Sequence, residues 1–525
     1  MAQNFVFYAP LALVFLGVYR FLLYPAFFGP LAKIPRLHIT SPFSRAYLLW
    51  IQYSGKENAF VHEQHKRKGP ILLLAPDVLS LNCFEGGLKQ IYTGGFPKSE
   101  FYVKGFHNYG VLPLFAKTNN QEHAQRKRMF SNVFSKSSIM SSPSAREVTK
   151  AVLHERLLPL FDNAATKDAP VNVVPLNYAY SMDSFVNFQF GLAQGCNLIE
   201  NLDERKMYLD GFFDRERYSF AAVEFPKIVS FFQKIGIQLI PKFVDDGTRN
   251  IENWNLKMCD KAEQVIRDQV ELSPRDWPTV FAQALQQMGK PGAKTMTGLK
   301  NEKYTNRTDI ACEMFSDSSA AHQTSGATLT YLMYELSNRP DVQDKLRKEL
   351  MSLDPPLLLR KSKDDSIKLP NAKDVLELPF LDAVIMETLR LYPSVPGGQP
   401  RVTPNTTNSL GGFDGIPAGV TVQSYAYALH RNPDVFPEPE VWSPQRWIEA
   451  SPEQLIEMRR WFWAFGSGGS MCIGSNFALY SMKYGTASLY TNFTTSVYSK
   501  GDMELIDAYL SGPKGGKLEL KFRRV

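Results

Sequence analysis

From Thr308 to Asn338 the chain contains no proline and one glycine, Gly326, and the run stops at Pro340. A helix of about 30 residues is about 45 Å long, enough to cross a whole domain. The fold must therefore be built around a helix that traverses it. Other segments fit that frame. Leu176 to Phe190 is apolar and reads as a buried helix, Asp341 to Leu350 as a short charged helix, Asp374 to Leu391 as a further helix, and Ser475 to Tyr490 as a last one. Residues 40–110 mix short helical and strand-like pieces. Leu410 to Ala428 has Gly-rich turns and alternation at Thr421 to Tyr425, the pattern of a hairpin. Residues 286–308 read as a polar surface connection and 354–371 as a polar loop. The fold class is mainly α with small β-sheets (α+β).

The length of 525 residues exceeds the usual size of one core, which stops growing near about 250–300 residues. No Ser/Gly-rich or Pro-rich linker divides the chain, and no repeat is visible. With 36 Phe and 23 Tyr, one large unit can surround a bulky flat ligand. The net charge of +7 is too scattered for a nucleic-acid surface; it suits an anionic membrane or an acidic partner. Five cysteines, Cys83, Cys196, Cys259, Cys312 and Cys472, include no C-x-x-C pair, which argues against a disulfide framework and structural zinc.

Phe5 to Tyr19 and Phe21 to Ala32 carry no charge, and only Arg20 interrupts them. A tilted helix over about residues 5–28 would span a bilayer if Arg20 snorkels. Lys33, Arg36 and Arg45 follow the span, and no Lys or Arg precedes it, which orients the body toward the cytosol. A cleaved signal peptide fits less well, for want of a basic leading segment. Residues 1–32 are read as a transmembrane anchor and 33–525 as the catalytic domain. Pro30 and Pro35 form a stiff neck between them. The glycosylation sequons at Asn306, Asn405 and Asn492 are then chance matches.

The most informative ten residues run from Phe465 to Gly474, FGSGGSMCIG. Glycines on both sides of Cys472 let the backbone turn tightly and approach a planar group. A helix begins just past the cysteine, and its amides favour a thiolate there.

This segment resembles the haem-binding loop of the cytochrome P450 family, F-x-x-G-x-R-x-C-x-G, at Phe465, Gly468, Cys472 and Gly474. It departs at the arginine, which is Ser470 here. Further resemblances occur in the family's order. Glu387 and Arg390 match its E-x-x-R, with i and i+3 on one helix face, and Pro444 to Trp447 resembles P-E-R-F/W, whose arginine is Arg446. The resemblance implies a buried network of Glu387, Arg390 and Arg446. Glu122 to Arg128 resembles the family's basic helix, so His123 and Lys127 are expected at the haem propionates, with Arg401 as a third contact. The alternative for this cluster, chiefly for Arg126 and Arg128, is a solvated basic helix face. Fungal members active in secondary metabolism look most similar.

Ala320 to Thr324, AAHQT, resembles the family's A-G-x-D/E-T on the oxygen-binding helix. The glycine is Ala321 and the acid is Gln323. An amide cannot titrate, so Gln323 can orient water but not supply protons. Thr324, Gln323 and Ala321 are the expected catalytic set. Asp317, seven residues before Thr324 on the same face, is a candidate proton source or substrate contact. His322 reads as a hydrogen-bonding residue of the helix face rather than an iron ligand.

The resemblance implies haem b (iron protoporphyrin IX) held by Cys472, and insertion of one oxygen atom from O2 into a small, largely apolar substrate. It also implies electrons from NADPH through a separate flavoprotein reductase, and a single-pass endoplasmic reticulum membrane location. Arg459, Arg460 and Lys483 are the expected basic docking surface. Alternatives follow from Gln323 and Ser470: an atypical oxidation such as desaturation, coupling or rearrangement; isomerase or dehydratase chemistry; or a non-catalytic haem-binding protein.

Overall fold

A computed structural model describes residues 2–269, 271–288, 306–359, 367–406 and 408–525. Most of the expected 286–308 connection, and part of the 354–371 loop, lie outside those residues. The helices that position the site are α1 (Ala2–Val18), α2 (Asn120–Phe130), α3 (Val173–Phe190), α4 (Leu202–Arg217), α5 (Lys242–Arg267), α6 (Asn306–Ser337), α7 (Pro340–Leu350), α8 (Pro379–Leu391) and α9 (Ser475–Asn492).

Helix α1 continues through wider turns over Tyr19–Phe28. The stretch Pro10–Phe28 has a mean hydropathy of 1.8 and is 6% buried, so its apolar side chains face away from the body. Arg20 stays exposed and lies over the Tyr24 ring.

Helix α6 is the long traverse, 32 residues as the proline-free run required. It packs against α3, in which every side chain except that of Pro175 is buried. The two backbones cross closely at Gly326, where a Cβ would sit 2.5 Å from the Tyr178 ring. The expected helix over Asp374 to Leu391 is instead two pieces, Ala372–Leu376 and α8. Pro379 lacks an N–H and starts a new helix at its first turn.

The sheets are small. One has the order β1 (Ile71–Ala75), β2 (Val78–Leu81), β7 (Thr421–Gln423), β4 (Arg401–Val402). A second has the order β3 (Val171–Asn172), β9 (Leu518–Arg524), β8 (Phe493–Lys500), and a third pairs β5 (Asn408–Leu410) with β6 (Phe413–Ile416). The expected hairpin is thus only β5–β6. It turns through Gly411 and Gly412 at φ +57° and +85°, the left-handed pair a two-residue turn demands. Thr421 to Gln423 leaves it and pairs with β2 in parallel and β4 in antiparallel register. Alternation showed a strand there but carried no signal of its partner. Asn492 is buried and donates to the Leu357 and Ser488 carbonyls, both at 2.7 Å, so its sequon is structural.

A buried ionic network joins α8 to the segment that carries Cys472. Glu387 and Arg390 are fully buried. Arg390 Nε and Nη2 donate to Glu387 at 2.9 and 2.8 Å. Arg446 Nε, Trp447 Nε1 and the Ser443 amide each add a bond of 2.9 Å to the same carboxylate. Arg390 Nη1 also donates to the carbonyls of His430 and Pro439. His430 then bridges onward: its Nδ1 lies 2.9 Å from the Arg390 carbonyl, and its Nε2 lies 2.7 Å from the Trp463 amide. A carbonyl only accepts and an amide N–H only donates. The ring is therefore neutral, with its proton on Nδ1.

Glu387→Ala should cost about 3–5 kcal/mol, because it strands two buried guanidinium groups; urea denaturation measures it. Burial, followed by the nearby Arg390 charge, pushes His430 down to about 3. The unfolded chain takes up a proton below about pH 6.5 that the folded site refuses. Stability from this residue is therefore present above that pH and lost as pH falls toward 3. In His430→Gln the slope of unfolding free energy against pH should be smaller in that window by up to about 1.4 kcal/mol per pH unit.

Candidate active site

Phe465 to Gly474 forms a tight loop ahead of α9. The Cys472 amide donates to the Phe465 carbonyl at 2.9 Å, and Trp463 Nε1 donates to Ser467 Oγ at 3.0 Å. Gly468 has φ +67°, and a Cβ there would lie 2.1 Å from the Tyr92 carbonyl oxygen; no other residue fits. By contrast, a Cβ on Gly469 or Gly474 would meet no protein atom within 4 Å.

Cys472 is exposed to solvent, while the chain packs densely around its sulfur. Burial pushes the thiol up. The amides of Gly474 and Ser475 and the Lys127 ammonium pull it down, and Asp317 opposes them. The sulfur thus has two amides and one cation that favour a thiolate. The other cysteines behave as buried or half-buried apolar residues. Burial raises Cys83 to about 11, and Cys196 Sγ contacts Asp183 at 3.3 Å.

Four basic residues gather beside this loop. His123 and Arg401 are buried, and Lys127 Nζ donates to the carbonyls of Gly469 and Met471 at 3.0 and 2.7 Å. The fourth is Lys98, which sequence reasoning missed. It is 6% exposed, donates to the Phe115 carbonyl at 2.6 Å, and lies next to Arg401 across an antiparallel bridge. Among the described residues no carboxylate pairs with any of these four. Burial lowers Lys98 well below its ordinary range, with Arg401 and Lys127 adding to the effect. Burial likewise pushes His123 down to about 3, helped by Lys98, Lys127, Arg401 and Lys117. Such a cluster is costly unless an anion joins it. Only the bridge between neighbouring strands brings Lys98 here, and the sequence held no local sign of it.

Arg126 is not part of a solvated face. It is buried and pairs with buried Glu313 at 3.4 Å, tying α2 to α6, while Arg128 is exposed. Glu313 also accepts the Leu114 amide at 2.9 Å.

On α6, Thr324 Oγ1 donates to the Ala320 carbonyl at 2.9 Å. Ala320 is exposed, and Thr324, Ala321 and Asp317 are half-buried on this otherwise internal helix. The Asp317 charge acts on the Cys472 thiol and works against its ionisation. Burial, then Glu313, raises the Asp317 carboxyl well above the ordinary range. Gln323 points elsewhere: its Nε2 donates to both carboxylate oxygens of Glu216 on α4, at 3.0 and 2.9 Å. His322 is fully buried with its ring edge-on to Phe212 at 4.6 Å and Tyr208 at 5.1 Å. It serves aromatic packing rather than an outward helix face.

An iron porphyrin needs a thiolate on one side, cations at its carboxylate edge and an open face opposite. The sulfur with its two amides, the four basic residues without an acid, and the Ala320–Thr324 face match those needs. A family model described as Cytochrome P450 matches residues 88–520. The chain belongs to the cytochrome P450 family. It is similar to the cytochrome P450 monooxygenase avaI of Aspergillus versicolor, 27% identical over 79% of this chain and 92% of the relative. It is also similar to the cytochrome P450 monooxygenase FGM1 of Gibberella zeae, 24% identical over 97% and 95%. Cytochrome P450 3A12 of Canis lupus familiaris is 28% identical over 63% of this chain and 60% of its own. As a P450 the protein is a haem-thiolate monooxygenase, an oxidoreductase.

One expected docking residue of this P450 is misplaced. Lys483 is 3% exposed and paired with Asp382 at 2.6 Å, so no partner can reach it. Arg459 and Arg460 are exposed on the helix Pro452–Trp461.

Lys98→Met keeps the bulk and removes a repelling charge. The haem-free protein should become more stable to urea, while the loaded protein should lose haem to apomyoglobin about tenfold faster, equivalent to about 1.4 kcal/mol.

Proposed function

We propose that Cys472 ligates the iron of haem b and that the protein inserts one oxygen atom from O2 into a small, largely apolar substrate, in fungal secondary metabolism. The observation that supports the reading is the Cys472 sulfur at the end of the glycine-rich loop, backed by the Gly474 and Ser475 amides and the Lys127 ammonium. When bound, the haem supplies the oxygen activation that no side chain offers.

The chain's own groups do the rest. The amides at the start of α9 hold negative charge on the sulfur. Gly468, pressed on Tyr92, fixes the loop, and Phe465 anchors the Cys472 amide from its carbonyl. Gly469 and Gly474 leave room for a flat ring. His123, Lys98, Lys127 and Arg401 would hold the two carboxylates, with Lys98 supplying the cation that Ser470 does not. Lys127 donates like a point charge, without the planar fork of arginine. Thr324, whose hydroxyl proton is committed to Ala320, offers its lone pairs to the distal side, and the Ala321 methyl narrows that side. Phe101, Tyr102, Phe106, Phe115 and Tyr509 stack in one cluster with centroids 4.9–6.4 Å apart. Arg401 donates to Tyr102 at 2.9 Å, so this apolar wall adjoins the proposed carboxylate edge and supports an apolar substrate.

The electrons come from NADPH through a separate flavoprotein reductase, docking near Arg459 and Arg460. The apolar N-terminal helix anchors the protein in the endoplasmic reticulum membrane with residues 33–525 in the cytosol, since Lys33, Arg36 and Arg45 follow the span. Exposed Ile228, Phe231, Ile237 and Leu239 offer the membrane a second apolar contact.

The reduced protein under carbon monoxide should show the red-shifted main absorption band of a thiolate-ligated haem. Cys472→Ala should abolish that band and all NADPH-driven, oxygen-dependent turnover. A mutant that kept pigment and turnover would refute the assignment.

A further inference from the structure

The long helix lacks the acid that its position before Thr324 should carry, and the side chain there, Gln323, turns to Glu216. We propose that Glu216, on α4, is a positioning residue that supplies through Gln323 the titratable carboxyl missing from α6. This rests on the monooxygenase reading and extends it to how protons enter.

The geometry carries the proposal. Gln323 Nε2 lies 3.0 and 2.9 Å from the two Glu216 oxygens, so the amide bisects the carboxyl group. Gln323 is 5% exposed, and a buried amide so committed has one favoured orientation. Glu216 itself is half-buried: crowded by chain, yet within reach of solvent for proton exchange.

Its charged surroundings are sparse. Arg215 donates to Asn108 Oδ1 and the His107 carbonyl, both at 2.8 Å, and Arg217 faces Asp214 at 4.0 Å. From α3, Tyr178 is the titratable group that feels the Glu216 charge, and the phenol is itself raised by burial. From α6, buried His322 packs on Tyr178 and is pushed down to about 4, hence neutral. Among the described residues no cation pairs with Glu216. Burial therefore raises Glu216 to about 7, with the Gln323 bond opposing. The carboxyl exchanges its proton near neutral pH.

The step moves a proton and no electrons. The Glu216 O–H bond breaks as the proton passes inward to solvent beside Thr324. The carboxylate left behind is held by Gln323 Nε2, and a proton from bulk restores the acid. The alternative is a tether that merely fixes α4 on α6. It would affect stability and leave no trace in a proton-dependent rate.

The experiment uses the full chain, with Glu216→Gln and Glu216→Asp. First, infrared spectra of the haem-free protein are taken between about pH 6 and pH 8. The expected result is a carboxylic-acid carbonyl band that fades through about pH 7, is missing in Glu216→Gln and returns shifted in Glu216→Asp. Second, the dithionite-reduced holoenzyme is mixed with air-saturated buffer and its reoxidation rate followed across the same window. The wild type should slow about tenfold toward high pH, Glu216→Gln should be flat, and Glu216→Asp should recover the slope. A wild type without the titrating band, or a slope that persists in Glu216→Gln, overturns the proposal. Neither result touches the carbon-monoxide spectrum, so failure here is distinct from failure of the haem-thiolate reading.

Discussion

Glu387 holds the molecule to one arrangement. Its carboxylate collects two guanidinium groups, an indole and a backbone amide, and Arg390 spends its remaining donors on backbone carbonyls. Burying such charges seldom gives net stability over an apolar core. Its value lies in direction, since each bond points to a different segment. Through His430 the network reaches the Trp463 amide, two residues before Phe465, whose carbonyl receives the Cys472 amide. The position of the sulfur thus depends on a relay of polar contacts that starts on α8, together with the close packing of Gly468 on Tyr92.

The distal side is organised by a different economy. The long helix presents one strip of small and short polar residues, Ala320, Ala321 and Thr324, to the interior. Its next residues turn away, Gln323 to α4 and His322 into rings of α3 and α4. Ion pairing of Arg126 with Glu313 and the close crossing at Gly326 keep that strip in register with the rest of the body. Small departures from the family pattern on this helix are therefore answered by residues on neighbouring helices, and judging the helix alone would misread them.

Much of this was legible from sequence. The proline-free run gave the traverse and the apolar run gave α3, because local periodicity encodes local geometry, while the network of Glu387, Arg390 and Arg446 was implied by the resemblance of their motifs to the family's. What escaped was non-local. Lys98 and Glu216 sit in unremarkable stretches and acquire meaning only when a strand bridge or a helix crossing delivers them. Arg126 and Lys483 look like surface charges, and their burial follows from acids on other helices, Glu313 and Asp382. The β7 strand was visible as an alternation, but one of its partners, β2, lies hundreds of residues away. His430, which links network and loop, carries no motif at all.

The basic cluster beside the cysteine loop, which no acid balances among the described residues, has a consequence for the life of the protein in the cell. Lys98, Lys127 and Arg401 have no acid beside them, so a doubly charged anion bound there stabilises the fold by its own binding free energy. Supply of the pigment then sets how much protein survives quality control. A cell short of iron or porphyrin would lose this enzyme by degradation rather than accumulate an idle form of it.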